Sequence, residues 1–127
     1  HAQETRPWHV DFAREPVDAT DPFVLHKTTH RVVYEIARQS RAAVDDVLLW
    51  NASGEVTEST IANVVAEIDG VRYTPPLSSG LLAGTFRAEQ LEAGTIRERV
   101  LTKADVATAS RLWLINSVRG WVDARLV

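Results

Sequence analysis

Residues 63–74 read NVVAEIDGVRYT, and this stretch does most to decide the fold class. Two short runs rich in β-branched residues flank Asp69-Gly70, which is one of the strongest hairpin signals that a sequence can carry. Upstream, the apolar run at 47–50 and the segment at 55–58, which can return as a second strand, flank another turn. The middle of the chain is therefore predicted to be a sheet built from antiparallel hairpins.

Helical patterns lie on both sides of these hairpins. Residues 29–43 carry apolar side chains at roughly helical spacing, and a second helical stretch at 85–93 ends at Gly94, which suits a left-handed C-cap. Thr102 is the predicted N-cap of a shorter third helix. The remaining strands are predicted at 96–101, 112–115 and 120–126. The sum is a mixed α/β domain in which hairpins and a mixed sheet are flanked by helices.

The beginning of the chain has a different character. It contains Pro7, Pro16 and Pro22 and shows little periodicity, so residues 1–24 are predicted to be an extended connector and 25–127 the folded domain. The sequence contains no Met and does not begin with one. We therefore expect it to be part of a longer polypeptide.

Composition narrows the functional classes. A chain of 127 residues with 45% hydrophobic and 24% charged residues is expected to form about one globular domain. The net charge of −3 argues against nucleic-acid binding, and no apolar run is long enough to cross a bilayer. The absence of cysteine excludes disulfides and suits the cytoplasm, where we expect the protein. His26 and His30 have no carboxylate at matching spacing, so no metal site is predicted.

Lys27 is one of only two lysines among fourteen basic residues. Positive charge that serves only solubility can be carried by Arg or Lys alike, so each retained lysine draws attention. A desolvated lysine can lose its proton and attack a carbonyl carbon to form a Schiff base, which arginine cannot do.

Lys27 opens a series of short motifs that keep one order along the chain. They lie at 25–31, 58–63, 74–76, 82–87 and 116–120. In this order the sequence resembles the C-terminal, larger domain of class IV (fold-type IV) pyridoxal-phosphate enzymes. That family has the D-amino-acid aminotransferase-like fold and includes branched-chain aminotransferases and 4-amino-4-deoxychorismate lyase. The resemblance covers residues 25–127, and the motifs at 25–31 and 116–120 look most like the lyase.

The resemblance implies roles at the reacting end of pyridoxal 5′-phosphate. Lys27 matches the lysine that forms the Schiff base and then moves the proton on the carbon bearing the substrate nitrogen. Glu58 matches the carboxylate that keeps the pyridine nitrogen protonated, so that the ring can accept an electron pair. Asn63 either orients cofactor groups or caps a turn, and both interpretations stay open.

The resemblance also implies a phosphate-binding end. Gly84, Thr85 and Phe86 match a turn at a helix start, where backbone N–H groups bind the dianion. The family usually carries Gly-Ile-Thr-Arg here, so Phe86 removes a hydroxyl contact and leaves the backbone contacts. Ser117 and Val118 match a second loop near the phosphate.

Four further residues are candidates with two open interpretations each. Asn116 and Arg119 match the substrate side, where Arg119 could bind a carboxylate through its bidentate fork, but a strand-end turn and a solvated arginine explain them equally well. Arg31 and Tyr34 follow Lys27 closely and could adjust its environment, or they are a helix-surface arginine and a packed tyrosine.

Three functional hypotheses follow from the resemblance. The first is a 4-amino-4-deoxychorismate lyase that releases pyruvate and 4-aminobenzoate on the folate route. The second is a branched-chain or D-amino-acid aminotransferase with the same machinery. The third is a scaffold domain without turnover of its own, because family members carry a smaller N-terminal domain over the substrate and work as homodimers. The expected partners are therefore a small-molecule substrate, the missing N-terminal domain and a second copy, with no membrane or nucleic acid.

Overall fold

The computed structural model describes residues 6–17, 35 and 43–127. The helix predicted over 29–43 lies outside the described residues apart from positions 35 and 43. The predicted site residues Lys27, Arg31 and Tyr34 also lie outside them.

Eight strands in the described part of the chain form one mixed sheet. They are β1 (Trp8–Phe12), β2 (Asp46–Trp50), β3 (Val56–Ser59), β4 (Asn63–Ile68), β5 (Val71–Thr74), β6 (Arg97–Glu98), β7 (Arg111–Asn116) and β8 (Gly120–Leu126). The strand order is β3-β2-β1-β8-β7-β4-β5-β6. Two helices, α1 (Thr85–Ala93) and α2 (Lys103–Thr108), and a 3₁₀ turn at Leu77–Ser79 complete the described elements. Within these residues neither helix has the length and apolarity that a bilayer crossing requires.

Both hairpin predictions are confirmed. Asp69 and Gly70 have φ values of 52° and 80° between antiparallel strands β4 and β5, as the tight two-residue turn requires. Between β2 and β3, the Gly54 N–H donates to the carbonyl of Asn51 at 2.9 Å. The Asn51 side chain adds bonds from the backbone N–H groups of Ser53 and Glu55, both at 3.0 Å. Local turn chemistry therefore sets both hairpins.

The two predicted helices inside the described residues are also confirmed. Helix α1 ends at Ala93, and Gly94 adopts the left-handed conformation (φ 79°) as its C-cap. Helix α2 begins after Thr102, whose hydroxyl accepts from the Asp105 N–H while the Asp105 carboxylate accepts from the Thr102 N–H. This reciprocal capping box explains why so short a helix begins at that residue.

The strand predicted over 96–101 is largely wrong, since only Arg97–Glu98 is a strand. The chain pairs with β5 there and then leaves it, so that the Leu101 carbonyl accepts from the Val56 N–H on β3 at 2.7 Å. The segment divides its backbone bonds between two different strands and therefore cannot remain paired with one.

The prediction that residues 1–24 are a connector is wrong for residues 8–12, which form β1. This strand lies between β2 and β8 and runs parallel to both. The prolines at 7 and 16 flank the strand, and Val10 in its centre is fully buried. Residues 8–12 thus belong to the sheet.

The core has two faces because successive strand residues point to opposite sides of the sheet. On β4, Val64 belongs to the largest of three buried clusters, and Val65 belongs to a second one with Trp113 and Ile115. This second cluster lies under α1, which contributes Phe86 and Leu91. This packing fixes the start of α1 beside the start of β4.

One charged contact attaches β1 to the start of β2. The Asp45 carboxylate accepts from the His9 N–H at 2.8 Å and from the Arg6 guanidinium at 3.4 Å. The hydrogen bond from the His9 backbone, aided by Arg6, holds the pKa of Asp45 below its usual value.

Replacing Asp45 by Asn is expected to lower Tm at pH 7 by a few degrees, because the neutral amide is a weaker acceptor for the His9 N–H. Since folding lowers the pKa of Asp45, its contribution is present above the usual value of 3.8 and is lost as the pH falls through the folded pKa. The difference between wild type and Asp45→Asn should therefore shrink towards zero at about pH 2. Thermal unfolding followed by circular dichroism measures this, with the exposed Glu89→Gln as control. A deficit of equal size at both pH values would contradict the assignment.

Candidate active site

A cavity of about 260 Å³ brings together most of the predicted site residues. Its walls are the loop from β3 to β4, the approach to α1, and the end of β7. The predicted residues that line it are Glu58, Asn63, Gly84, Thr85, Phe86, Asn116 and Ser117. A larger open groove of about 400 Å³ beside α2 and the end of β8 contains none of them. The smaller cavity is therefore the candidate active site.

Glu58 places a buried carboxylate in this cavity. It lies on β3, where all four residues are buried, and only 5% of Glu58 is exposed. Its Oε1 accepts from the backbone N–H of Leu82 at 3.3 Å. A carboxylate removed from bulk water in this way interacts strongly with any positive charge placed beside it.

Asn63 holds the other side of the same Leu82 peptide segment. Its Nδ2 donates to the Leu82 carbonyl at 3.1 Å, from the first position of β4. The N–H of Leu82 is thus bound by Glu58 and its carbonyl by Asn63, from two strands that are consecutive in the chain, β3 and β4. Asn63 therefore does not cap its own turn; its side chain positions the approach to α1.

Gly84 is the N-cap of α1, and the reason for glycine here is space. Its φ of −69° is open to any residue. A Cβ at this position would overlap the Asn63 Oδ1, which the bond to Leu82 holds in place. Because glycine offers no side-chain cap, the first-turn N–H groups of α1 have no side-chain acceptor among the described residues. Such groups can receive an anion.

Phe86 contributes backbone to the cavity and side chain to the core. It lines the cavity and at the same time packs against the cluster of Val65, Trp113 and Ile115. An aromatic ring at this position thus holds the first turn of α1 against the sheet.

Asn116 connects two walls of the cavity. Its Oδ1 accepts from the N–H groups of Val118 (3.1 Å) and Arg119 (2.8 Å), and its Nδ2 donates to the Ile61 carbonyl at 3.1 Å. The turn after β7 is therefore fastened to the loop between β3 and β4. The Asn116 amide is used on backbone groups, which favours the strand-end turn among its two interpretations.

Two of the predicted residues that the structure describes, Val118 and Arg119, lie outside the lining of the cavity. Val118 stands at the tip of the turn and is 90% exposed. The Arg119 guanidinium lies over the Trp8 ring at 5.0 Å. This stacking explains the side chain without a substrate carboxylate.

Sequence reasoning missed two residues that shape the site, Leu82 and Asp46. Leu82 acts through its backbone, for which its side chain gives no signal. Asp46 is 1% exposed, and its Oδ1 accepts from the hydroxyl of Thr60, a cavity residue, at 2.6 Å. The available signal for Asp46 was an acid at the start of the apolar run 47–50. Acidic residues are rarely buried without a partner, so this position indicated a buried hydrogen bond.

Comparison with known proteins gives the family. The sequence matches the family described as Amino-transferase class IV over residues 2–127, and the chain belongs to it. It is 36% identical over 124 residues to the "Putative aminodeoxychorismate lyase" of Schizosaccharomyces pombe, covering 91% of this chain and 54% of that protein. The chain spans about half the length of the curated relatives it matches.

Solved structures agree with this membership. A "Putative amino-acid aminotransferase" from Mesorhizobium loti is 39% identical with a TM-score of 0.88, over 98% of this chain and 61% of that chain. A "Putative 4-amino-4-deoxychorismate lyase" from Legionella pneumophila is 25% identical with a TM-score of 0.83, over 95% and 48%. The predicted fold, the larger C-terminal domain of the D-amino-acid aminotransferase-like class, is confirmed.

Members of this family depend on pyridoxal 5′-phosphate, as the sequence predicted. The cavity suits that group chemically. It offers the buried Glu58 acid for a protonated ring nitrogen and the open first turn at Gly84 for a phosphate. The donor and acceptor types required at the two ends of the cofactor are thus both present in one cavity.

Replacing Gly84 by Ala is expected to cost about 1 kcal/mol of unfolding free energy, because the new Cβ displaces Asn63 from its hydrogen bond to Leu82. In an Asn63→Ala background the same change should cost far less, since both the clash and the bond are already gone. Chemical denaturation of the wild type, both single variants and the double variant gives the coupling energy. An equal cost of Gly84→Ala in both backgrounds would show that the overlap with Asn63 is not the constraint.

Proposed function

We propose that this chain is the cofactor-binding part of a pyridoxal-phosphate-dependent 4-amino-4-deoxychorismate lyase, which releases pyruvate and 4-aminobenzoate. The observation that carries the proposal is the shared cavity of the buried Glu58 carboxylate and the open start of α1. The name of the S. pombe relative favours the lyase among the reactions of the family.

Each residue would perform one operation in this proposal. The Glu58 carboxylate would hold the proton on the ring nitrogen, and the backbone N–H groups of Thr85 and Phe86 would bind the phosphate oxygens. The Lys27 amine would carry the cofactor and then take the proton from the substrate carbon that bears the amino nitrogen. When bound, pyridoxal phosphate supplies an electron sink for the pair left at that carbon.

The protein's share of the catalysis would be positioning and proton transfer. Loss of the enolpyruvyl group from aminodeoxychorismate makes the ring aromatic, which strongly favours the expulsion. The chain therefore has to align Lys27 with one C–H bond and exclude competing geometries. The Leu82 backbone, whose N–H is bound by Glu58 and whose carbonyl is bound by Asn63, would fix the cavity wall against which this alignment is made.

An aminotransferase is the second candidate, because the M. loti structure carries an aminotransferase name at 39% identity. The same residues would serve an aminotransferase, in which Lys27 would return the proton to the cofactor.

The rest of the proposed enzyme would be a smaller domain and a second copy of the chain. A chain that spans about half of its curated relatives is also consistent with a scaffold that has no turnover alone.

The lyase proposal predicts that the complete protein, supplied with pyridoxal 5′-phosphate, converts aminodeoxychorismate into equal amounts of 4-aminobenzoate and pyruvate. Lys27→Ala should lower the rate by about 10²–10⁴-fold, the usual contribution of a proton-transfer group. Lys103→Ala is the matched control, and its rate should stay close to that of the wild type. Lys103 does not line the cavity, and its ammonium lies instead 3.8 Å from the Trp50 ring centroid. Chromatographic product quantification measures both.

The same preparation separates the rival reactions. Amino transfer from branched-chain or D-amino acids to 2-oxoglutarate, without formation of 4-aminobenzoate, would replace the lyase by the aminotransferase. A protein that binds the cofactor and catalyses neither reaction would support the scaffold.

A further inference from the structure

Arg87 is a buried cation for which the proposed function has no use so far. It is the third residue of α1 and is 3% exposed. Its Nη2 donates to the Pro75 carbonyl at 3.0 Å and to Glu98 Oε2 at 2.5 Å. Its Nε has no hydrogen-bond partner among the described residues. The Glu98 side chain is 46% exposed. Within the described part of the chain, this nearly dry positive charge is therefore paired with one acid, Glu98, which remains half in water.

The position of this charge is unfavourable for the helix by itself. The first turn of a helix carries partial positive charge, which favours acids there and disfavours cations. Helix α1 has no acidic residue in its first turn and buries Arg87 in it. A local conflict of this kind is expected at a functional site, where another group removes it. An anion bound at the start of α1 makes this placement of positive charge favourable, because the anion is attracted both by the helix end and by the guanidinium.

We infer that Arg87 determines the preference of the site for a phosphorylated cofactor, by adding positive potential to the Gly84–Phe86 turn without contacting the phosphate. Arg87 is absent from the residues that line the cavity. Arg87 follows this turn directly in α1 and is 3% exposed, so water screens its charge only weakly. Glu98 subtracts from this positive potential and thus sets its strength. The inference rests on the proposed cofactor site.

The test compares affinities for pyridoxal 5′-phosphate and for pyridoxal, which lacks the phosphate, on the intact protein. The ratio of the two Kd values isolates the phosphate end, because general damage to the fold weakens both ligands alike. Titrations followed by cofactor absorbance give both constants. Circular dichroism and Tm report folding separately.

Arg87→Met is expected to lower the preference for the phosphorylated form about tenfold, since a unit charge is lost from a poorly solvated position. Arg87→Lys keeps the charge and should keep most of the preference, although its Tm falls because the two hydrogen bonds from Nη2 to Pro75 and Glu98 are disturbed. Glu98→Gln keeps an acceptor for Arg87 and removes the opposing charge, so the preference should rise severalfold. Glu92→Gln, an exposed change of the same kind in the last turn of α1, should leave the ratio unchanged.

If Arg87 had a purely structural role, Glu98→Gln would not raise the preference for the phosphorylated form. Weakening its ion pair through Glu98→Gln would then lower the preference or leave it unaltered, and either result overturns the inference. An unchanged ratio in Arg87→Met overturns it as well. If Arg87→Met does not fold, the sign of the Glu98→Gln effect still decides. A wild-type protein that binds neither ligand removes the proposed function, whereas a wild type that prefers the phosphate form with unresponsive variants removes only this inference.

Discussion

The Leu82 peptide segment, bound on its N–H by Glu58 and on its carbonyl by Asn63, is the constraint on which the site depends. Glu58 belongs to β3 and Asn63 begins β4. The Leu82 backbone therefore connects the end of one strand to the start of the next. Its position sets the start of α1, because Gly84 follows two residues later and contacts Asn63. The distance between the buried acid and the open helix turn is thereby fixed by hydrogen bonds within the chain.

The register of the sheet makes this arrangement possible. Asn63 pairs with Ile115 on β7, so the residue after that pair, Asn116, emerges beside the loop between β3 and β4. Its amide then reaches the Ile61 carbonyl. A shift of one residue would reverse the face of every side chain on the strand and separate these groups. The cavity therefore follows from strand pairing at its base and from three side-chain amide or carboxylate contacts at its rim.

Local chemistry was predictable from the sequence, and long-range pairing was not. Asp69-Gly70 and Gly94 determine their turns through their own backbone preferences, and the structure has both where the sequence placed them. Strand β1 was missed because its partners are parallel strands distant in sequence, which leave no mark on the five residues themselves. The division of 96–101 between β5 and β3 was hidden for the same reason.

The site shows the same division. The resemblance to class IV enzymes implied that Glu58, Gly84 and Asn116 belong together, and all three line the cavity. The sequence could not show that Arg119 stacks on Trp8, since the two residues meet only through the β1–β8 pairing. Nor could it assign the Leu82 backbone, because any residue supplies an N–H and a carbonyl.

In the proposed enzyme, Lys27 would carry a cofactor whose ring and phosphate would occupy the cavity between Glu58 and Gly84. Borohydride reduction of the cofactor-loaded protein, followed by peptide mapping, tests this role most directly, because reduction makes the linkage between lysine and cofactor permanent. We expect a phosphopyridoxyl group on Lys27 and none on Lys103, whose ammonium lies against the rings of Trp50 and Phe12. A label on Lys103, or a protein that retains no label at all, would contradict it.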